Sequence, residues 1–260
     1  MLRSGPRRIP GGTVAAPEDA RRDGAGPRTR VVLVHGVRTS ATMWRRQVEL
    51  LTARGYEAVA VDLPGHGTRR DVPFTLESAR AVLDDAVAGA PGRVVVVGLS
   101  LGGYVTLHWA ARGGACDAVV VSSCTARPGG AAHRGFIALS RAIAATGGGA
   151  DLLSDRAARL AVGAASALDV AAGGLASAGQ ATTLRAVLAA DPLADVAALE
   201  ERGLPLRFVI GEWDHFRLDE RSFRAAAPSA TWVLVRRANH LVSLHRPRAY
   251  GRALLDALSA

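Results

Sequence analysis

The sequence predicts an α/β fold: a mostly parallel six-stranded sheet covered by helices on both faces, with one helical insertion. Three observations carry this. Short continuous apolar runs, the mark of strands buried on both faces, recur along the chain. Helical patterns separate them, as parallel pairing through crossovers requires. A single stretch, residues 126–190, breaks the alternation with alanine-rich helical pieces and no strand signal.

In chain order, residues 1–28 are rich in Arg, Gly and Pro without periodicity and read as a disordered basic tail. Residues 31–34 form the first strand, followed by His35-Gly36. A helix over 43–54 ends at Gly55, and strand 58–61 runs into Asp62-Leu63-Pro64-Gly65-His66-Gly67. Thr75 is suited to cap a helix reaching about residue 90, where Pro91-Gly92 stops it. Strand 94–97 is four consecutive valines, Gly98–Gly102 is a turn, and a helix over 103–112 leaves it. Strand 118–121 precedes the insertion. The alternation resumes with strand 206–210, a helix near 219–226, strand 231–235 and a last helix over 247–258. The expected units are a core of 29–125 and 191–260 and a helical cap of 126–190 over the carboxyl edge of the sheet.

Composition bounds the function. The formal net charge is +9, but the first 30 residues hold seven arginines against three acids, and the remaining surplus is scattered. No face carries a basic stripe interleaved with aromatics, so nucleic acid is not expected as a partner. Every basic side chain is arginine, which points to a biased genome rather than to a site. Cys116 and Cys124 flank one strand, a poor geometry for a bridge, and are expected to be reduced thiols. Arg7-Arg8 is followed by Gly, Pro and charge instead of an apolar stretch, which speaks against a twin-arginine leader. No run reaches transmembrane length. A cytoplasmic protein with no membrane partner is expected, and its oligomeric state is open.

The chemistry concentrates at Gly98-Leu99-Ser100-Leu101-Gly102, a Gly-x-Ser-x-Gly placed between a strand and a helix. Such a turn is so sharp that side chains two residues either side of the serine would collide with strand and helix. It lifts the hydroxyl above the sheet edge at the positive end of a helix. A serine hydroxyl needs a base within hydrogen-bond reach, and in this arrangement an acid and then a histidine follow in the chain. Asp214 lies just past strand 206–210, and His240 follows strand 231–235, both at the same sheet edge as Ser100. Glu212 and Asp219 are nearby alternatives for the acid. The amides of Leu101 and Val37 are the expected donors to an oxyanion, and His35 is expected to brace its loop.

His35-Gly36, the Asp62–Gly67 turn, the serine motif, Gly211-x-x-Asp214 and Asn239-His240 occur together in one order and spacing. Over residues 30–260 the chain resembles the α/β-hydrolase superfamily, which implies a serine esterase or lipase-like hydrolase with the triad Ser100, Asp214 and His240. The same scaffold serves esterases, lactonases, thioesterases, carbon–carbon hydrolases, haloperoxidase-like proteins and small-molecule receptors. The polar tail supplies no antiparallel strand pair before the His-Gly strand, a departure shared with the compact plant methylesterase and hydroxynitrile-lyase group. After the base, where many relatives carry an acid before a proline, this chain has His245-Arg246-Pro247.

The substrate is expected to be a small apolar molecule, with Trp44, Trp213 and Phe216 as candidate pocket walls and alanines and leucines of the cap above. His66, His108 and His133 read as structural, His215 faces an undetermined direction, and His245 reads as a surface residue. No histidine has ligand-like spacing to carboxylates, so neither a metal nor another cofactor is expected.

Overall fold

The computed structural model describes residues 28–127, 129, 159–160, 162–174 and 180–259. The expected tail except Arg28, His133 and much of the insertion lie outside these residues.

The apolar runs become β1 (Arg30–Val34), β2 (Glu57–Val61), β3 (Val94–Leu99), β4 (Ala118–Ser122), β5 (Leu206–Gly211) and β6 (Thr231–Val235). They form one sheet in the order β2-β1-β3-β4-β5-β6, with every neighbouring pair parallel. Side chains alternate between two cores, as the two-residue pleat requires. Val32, Val34, Val94 and Val96 enter one; Val31, Leu33, Val95, Val97 and Leu99 enter the other.

The first core is closed by α2 (Leu76–Val87), α3 (Leu101–Ala111), α6 (Pro192–Glu201) and α7 (Glu220–Ala226). On the opposite face lie α1 (Arg45–Thr52), α4 (Ala164–Ala172), α8 (Val242–His245) and α9 (Pro247–Leu258). Between α4 and α6, α5 (Gln180–Ala186) leads into a 3-10 turn, Val187–Ala189. Helix α3 is buried nearly all round, as expected of an apolar helix between sheet and outer helices. Truncating a fully buried side chain such as Leu107 to alanine should cost about 2–5 kcal/mol.

Besides the short α8, which was not expected, three helices differ from the expectation. The single helix over 43–54 is a 3-10 turn, Ala41–Trp44, followed by α1. The Asp62 carboxylate accepts the Ala41 N–H at 2.7 Å and so fixes the entry from the loop side. Helix α3 starts at Leu101 rather than at residue 103. Glycine is a poor helix former, but a Cβ on Gly102 would overlap the Val34 carbonyl, and one on Gly103 would lie 2.7 Å from Cys124 Sγ. Close approach to β1 and to the end of β4 overrides propensity there. Helix α6 was not anticipated, although Asp191-Pro192 announces it: the Asp191 side chain accepts the Ala194 N–H, and Pro192 occupies the first turn.

Strand order reverses direction between β1 and β3, with β2 on one side and β4 to β6 on the other. In a parallel sheet the crevice beyond the carboxyl ends at such a point is where ligands bind. The loops after β1, β3, β5 and β6 all open there.

Candidate active site

Ser100 occupies the one residue between β3 and α3, with φ 55° and ψ −113°. A Cβ on Gly98 would overlap the Gly102 carbonyl, so the turn can be this tight only with glycine at both positions. The Ser100 N–H donates to the Ser122 carbonyl at 2.8 Å, which anchors the turn to β4. Four described non-glycine residues have left-handed backbones: Arg38, Ser100, Ser123 and Arg237. All four sit on loops at the carboxyl edge of the sheet, and the first three line one cavity. Such strain persists only where the surroundings hold it, and it gathers at functional sites.

Asp214 closes a turn after β5, its N–H donating to the Gly211 carbonyl at 3.1 Å. The β5 and β6 loops are stitched together by Glu212 N–H to the Val235 carbonyl (3.0 Å) and Trp213 N–H to the Ala238 carbonyl (2.8 Å). That stitching brings His240 onto the acid. His240 Nδ1 lies 2.9 Å from Asp214 Oδ1, and His240 Nε2 lies 3.0 Å from Ser100 Oγ. An ionised carboxylate only accepts, so Nδ1 carries the proton and Nε2 is left to accept from the serine hydroxyl.

Asp214 is 6% exposed. Burial pushes its carboxyl up, but hydrogen bonds from His240 and the Phe216 N–H, attraction to His240 and the nearby Ser123 hydroxyl hold it below its ordinary value. Of the two alternative acids, Glu212 is turned away to accept the Arg237 N–H. Asp219 accepts from Arg127 instead.

A model of the alpha/beta hydrolase family matches residues 31–253. The chain belongs to that family. It is 44% identical over 78 residues to a rice (Oryza sativa subsp. japonica) esterase, a match covering 28% of this chain and 29% of the relative. It is 42% identical over 89 residues to a pimeloyl-[acyl-carrier protein] methyl ester esterase of Chromobacterium violaceum, covering 34% of this chain and 33% of the relative. The matches therefore span about a third of the length of these curated relatives. Among solved structures, a carboxylesterase study of the thaumarchaeon Nitrososphaera gargenis gives a TM-score of 0.76 at 16% identity, covering 95% of this chain and 98% of that one. The enol-lactonase of Burkholderia xenovorans LB400 gives 0.71 at 23% identity, covering 93% and 95%. At such identities the structural likeness concerns the fold.

In this alpha/beta hydrolase the cavity beside Ser100 has a volume of about 390 Å³. Its lining includes Val37 and Leu101, the two residues whose amides were expected to face an oxyanion. As the first residue of α3, Leu101 carries an N–H with no partner inside the helix, free to point at a ligand. Apolar walls come from Phe216 and Leu241, and from Leu184 and Val187 of the insertion. Of the three expected aromatic walls, only Phe216 is there. Trp44 is fully buried in the core against Tyr250, and Trp213 is 55% exposed and outside the cavity. Both tryptophans lie close to site residues in sequence, but their side chains leave the carboxyl edge in other directions.

His35 braces its loop as expected. Its Nδ1 donates to the Gly36 carbonyl at 2.7 Å, and its Nε2 accepts the Leu63 N–H at 3.0 Å. Burial, with repulsion from His66, lowers its pKa to about 3, so the ring is neutral. Asp62 completes the brace, accepting from Ala41, from the Thr68 N–H and from the Thr68 hydroxyl.

Two histidines gain roles that the sequence did not reveal. His245, read as a surface residue, is half-buried, and its Nδ1 accepts the Asn239 N–H at 3.1 Å, one residue before the His240 of the site. Only the return of the chain through α8 puts it there. His215 lines the cavity with its ring 5.3 Å from that of His240. Burial and the neighbouring His240 lower its pKa, so it enters as a neutral hydrogen-bonding group. Among the described residues, no cluster of three or more His, Cys, Asp or Glu could hold a metal, and no helix is long and apolar enough to cross a membrane.

Proposed function

We propose that this chain is a serine hydrolase that cleaves a carboxylic ester, or a related acyl bond, of a small apolar molecule through an acyl-enzyme intermediate. The observation that carries the reading is the unbroken hydrogen-bonded line from Asp214 through His240 to Ser100, ending in an apolar cavity. The esterase names of the partial relatives support the choice of bond.

In the first step Ser100 Oγ attacks the carbonyl carbon while His240 Nε2 takes its proton. Asp214 keeps the imidazole in the accepting tautomer and stabilises the imidazolium. The amides of Leu101 and Val37 stabilise the oxyanion, a contribution of roughly 3–4 kcal/mol for a single well-placed donor. Collapse expels the alcohol, which receives the proton from His240. In the second step water attacks the acyl-enzyme with His240 again as base, and the acid is released with Ser100 restored. The cavity volume of about 390 Å³ lies in the range of small-molecule sites.

A fluorophosphonate probe tests the nucleophile, and a series of p-nitrophenyl esters of increasing acyl length tests the bond and the pocket. Wild type should label and Ser100→Ala should not. Folded wild type that stays unlabelled, or an alanine variant that labels equally, would falsify the assignment. Labelling with negligible turnover of every ester would turn the reading toward lactone, thioester, carbon–carbon or lyase chemistry, or toward a binding protein that retains the triad.

A further inference from the structure

Ser123 is absent from the chemistry above, yet it touches both members of the acid–base pair. It follows β4 directly and is 2% exposed. Its hydroxyl donates to the His240 carbonyl at 2.7 Å, a partner 117 positions away in the chain. The same hydroxyl lies against the Asp214 carboxyl and helps to hold it in its ionised form. Asp214 itself is unevenly served. Oδ1 accepts from both His240 and the Phe216 N–H, while Oδ2 is buried with no donor in bonding geometry.

A single hydroxyl proton serves one acceptor at a time, and in this structure the His240 carbonyl has it. The Asp214 carboxyl is the other neighbour of Ser123, and Oδ2 of that carboxyl is the oxygen left without a donor. Its backbone makes the placement more telling. Ser123 is held at φ 57°, a conformation that glycine adopts without penalty and other residues adopt at a cost. A side chain is kept where its absence would relieve strain, and that side chain binds to the base's own residue.

We propose that Ser123 is a positioning residue of the site, its hydroxyl fixing the His240 backbone against Asp214 so that the imidazole stays aligned with Ser100. The inference rests on the hydrolase reading. It predicts that removing the hydroxyl leaves binding intact and weakens the chemical step, because alignment is expressed in the transition state.

The test compares wild type, Ser123→Gly and Ser123→Ala in fluorophosphonate labelling rate, p-nitrophenyl butyrate kinetics and thermal melting. The glycine variant loses the hydroxyl and the strain together, so it should melt no lower than the alanine variant. Both variants should lose roughly tenfold in kcat and in labelling rate, about the weight of one hydrogen bond, with KM within about twofold. A glycine variant that is as fast as an active wild type overturns the inference and leaves the hydrolase reading standing. So does one that is slower only through a raised KM. Folded wild type that neither labels nor turns over the ester overturns both.

Discussion

Lowering the pH from 7 to 5 should cost this fold about 2 kcal/mol through His35 alone. The imidazole accepts the Leu63 N–H at Nε2 and donates from Nδ1 to the Gly36 carbonyl. Protonation would set a second N–H against that of Leu63 in a fully buried place. In the unfolded chain the ring takes up its proton near 6.5, and in the fold only near 3. Between those values the unfolded state holds one more proton than the folded state. Stability therefore falls as the pH falls, by about 1.4 kcal/mol per unit, and the loss is complete below about pH 3. The gradual onset around 6.5 trims the drop from pH 7 to 5 to about 2 kcal/mol. Urea unfolding at pH 7, 6 and 5 measures it, with His35→Gln as the control that cannot titrate. The glutamine variant should be less stable at pH 7 and should lose about 2 kcal/mol less than wild type on the way to pH 5. Equal losses in the two proteins would refute the argument, because every other titrating group is common to both.

Three further outcomes follow from the site. Asp214→Asn should fold normally and lose about 10⁴-fold in kcat on a nitrophenyl ester, since an amide can donate to Nδ1 and stabilise the wrong tautomer; a loss under tenfold would mean that another acid serves His240. Gly211→Ala drives a Cβ into the Asn239 and Ala238 carbonyls, the backbone of the loop that carries His240. A displacement near 1 Å should lower kcat by about 10²-fold with the fold retained, and unchanged kinetics would show that the loop adjusts freely. Leu184→Trp fills part of the cavity wall that the insertion supplies. It should abolish turnover of a nitrophenyl octanoate before that of the acetate, whereas equal effects on the two esters would place the acyl chain elsewhere.

What the sequence by itself determined is what short range decides. Short β-branched apolar runs bounded by turn residues marked all six strands, including the edge strand β6, which leaves Thr231 and Leu234 exposed. Gly98 and Gly102 marked the turn at Ser100, because only glycine leaves room there for β1 and α3 to approach. Chain order and strand ends then selected Asp214 and His240, since parallel strands deliver all their following loops to one edge. Helix α6 was missed, because the pattern of apolar residues did not mark it and only its Asp-Pro start announces it.

The tertiary structure decided whatever depends on the direction of a side chain from a loop. Nothing local distinguishes Trp44, which packs into the core, from Phe216, which faces the cavity. His245 supports the Asn239-His240 loop only because α8 folds back beneath it. His215 reaches the cavity because the stitched loops after β5 and β6 turn it toward His240. Ser123 is one of two adjacent serines at a strand end, and no pattern singles it out. Its significance lies in a hydrogen bond across 117 positions and a backbone angle that neither spacing nor composition encodes. Period and propensity report which residues are buried together; the torsions of a few loop residues, set by the whole packed sheet edge, decide which of them meet a substrate.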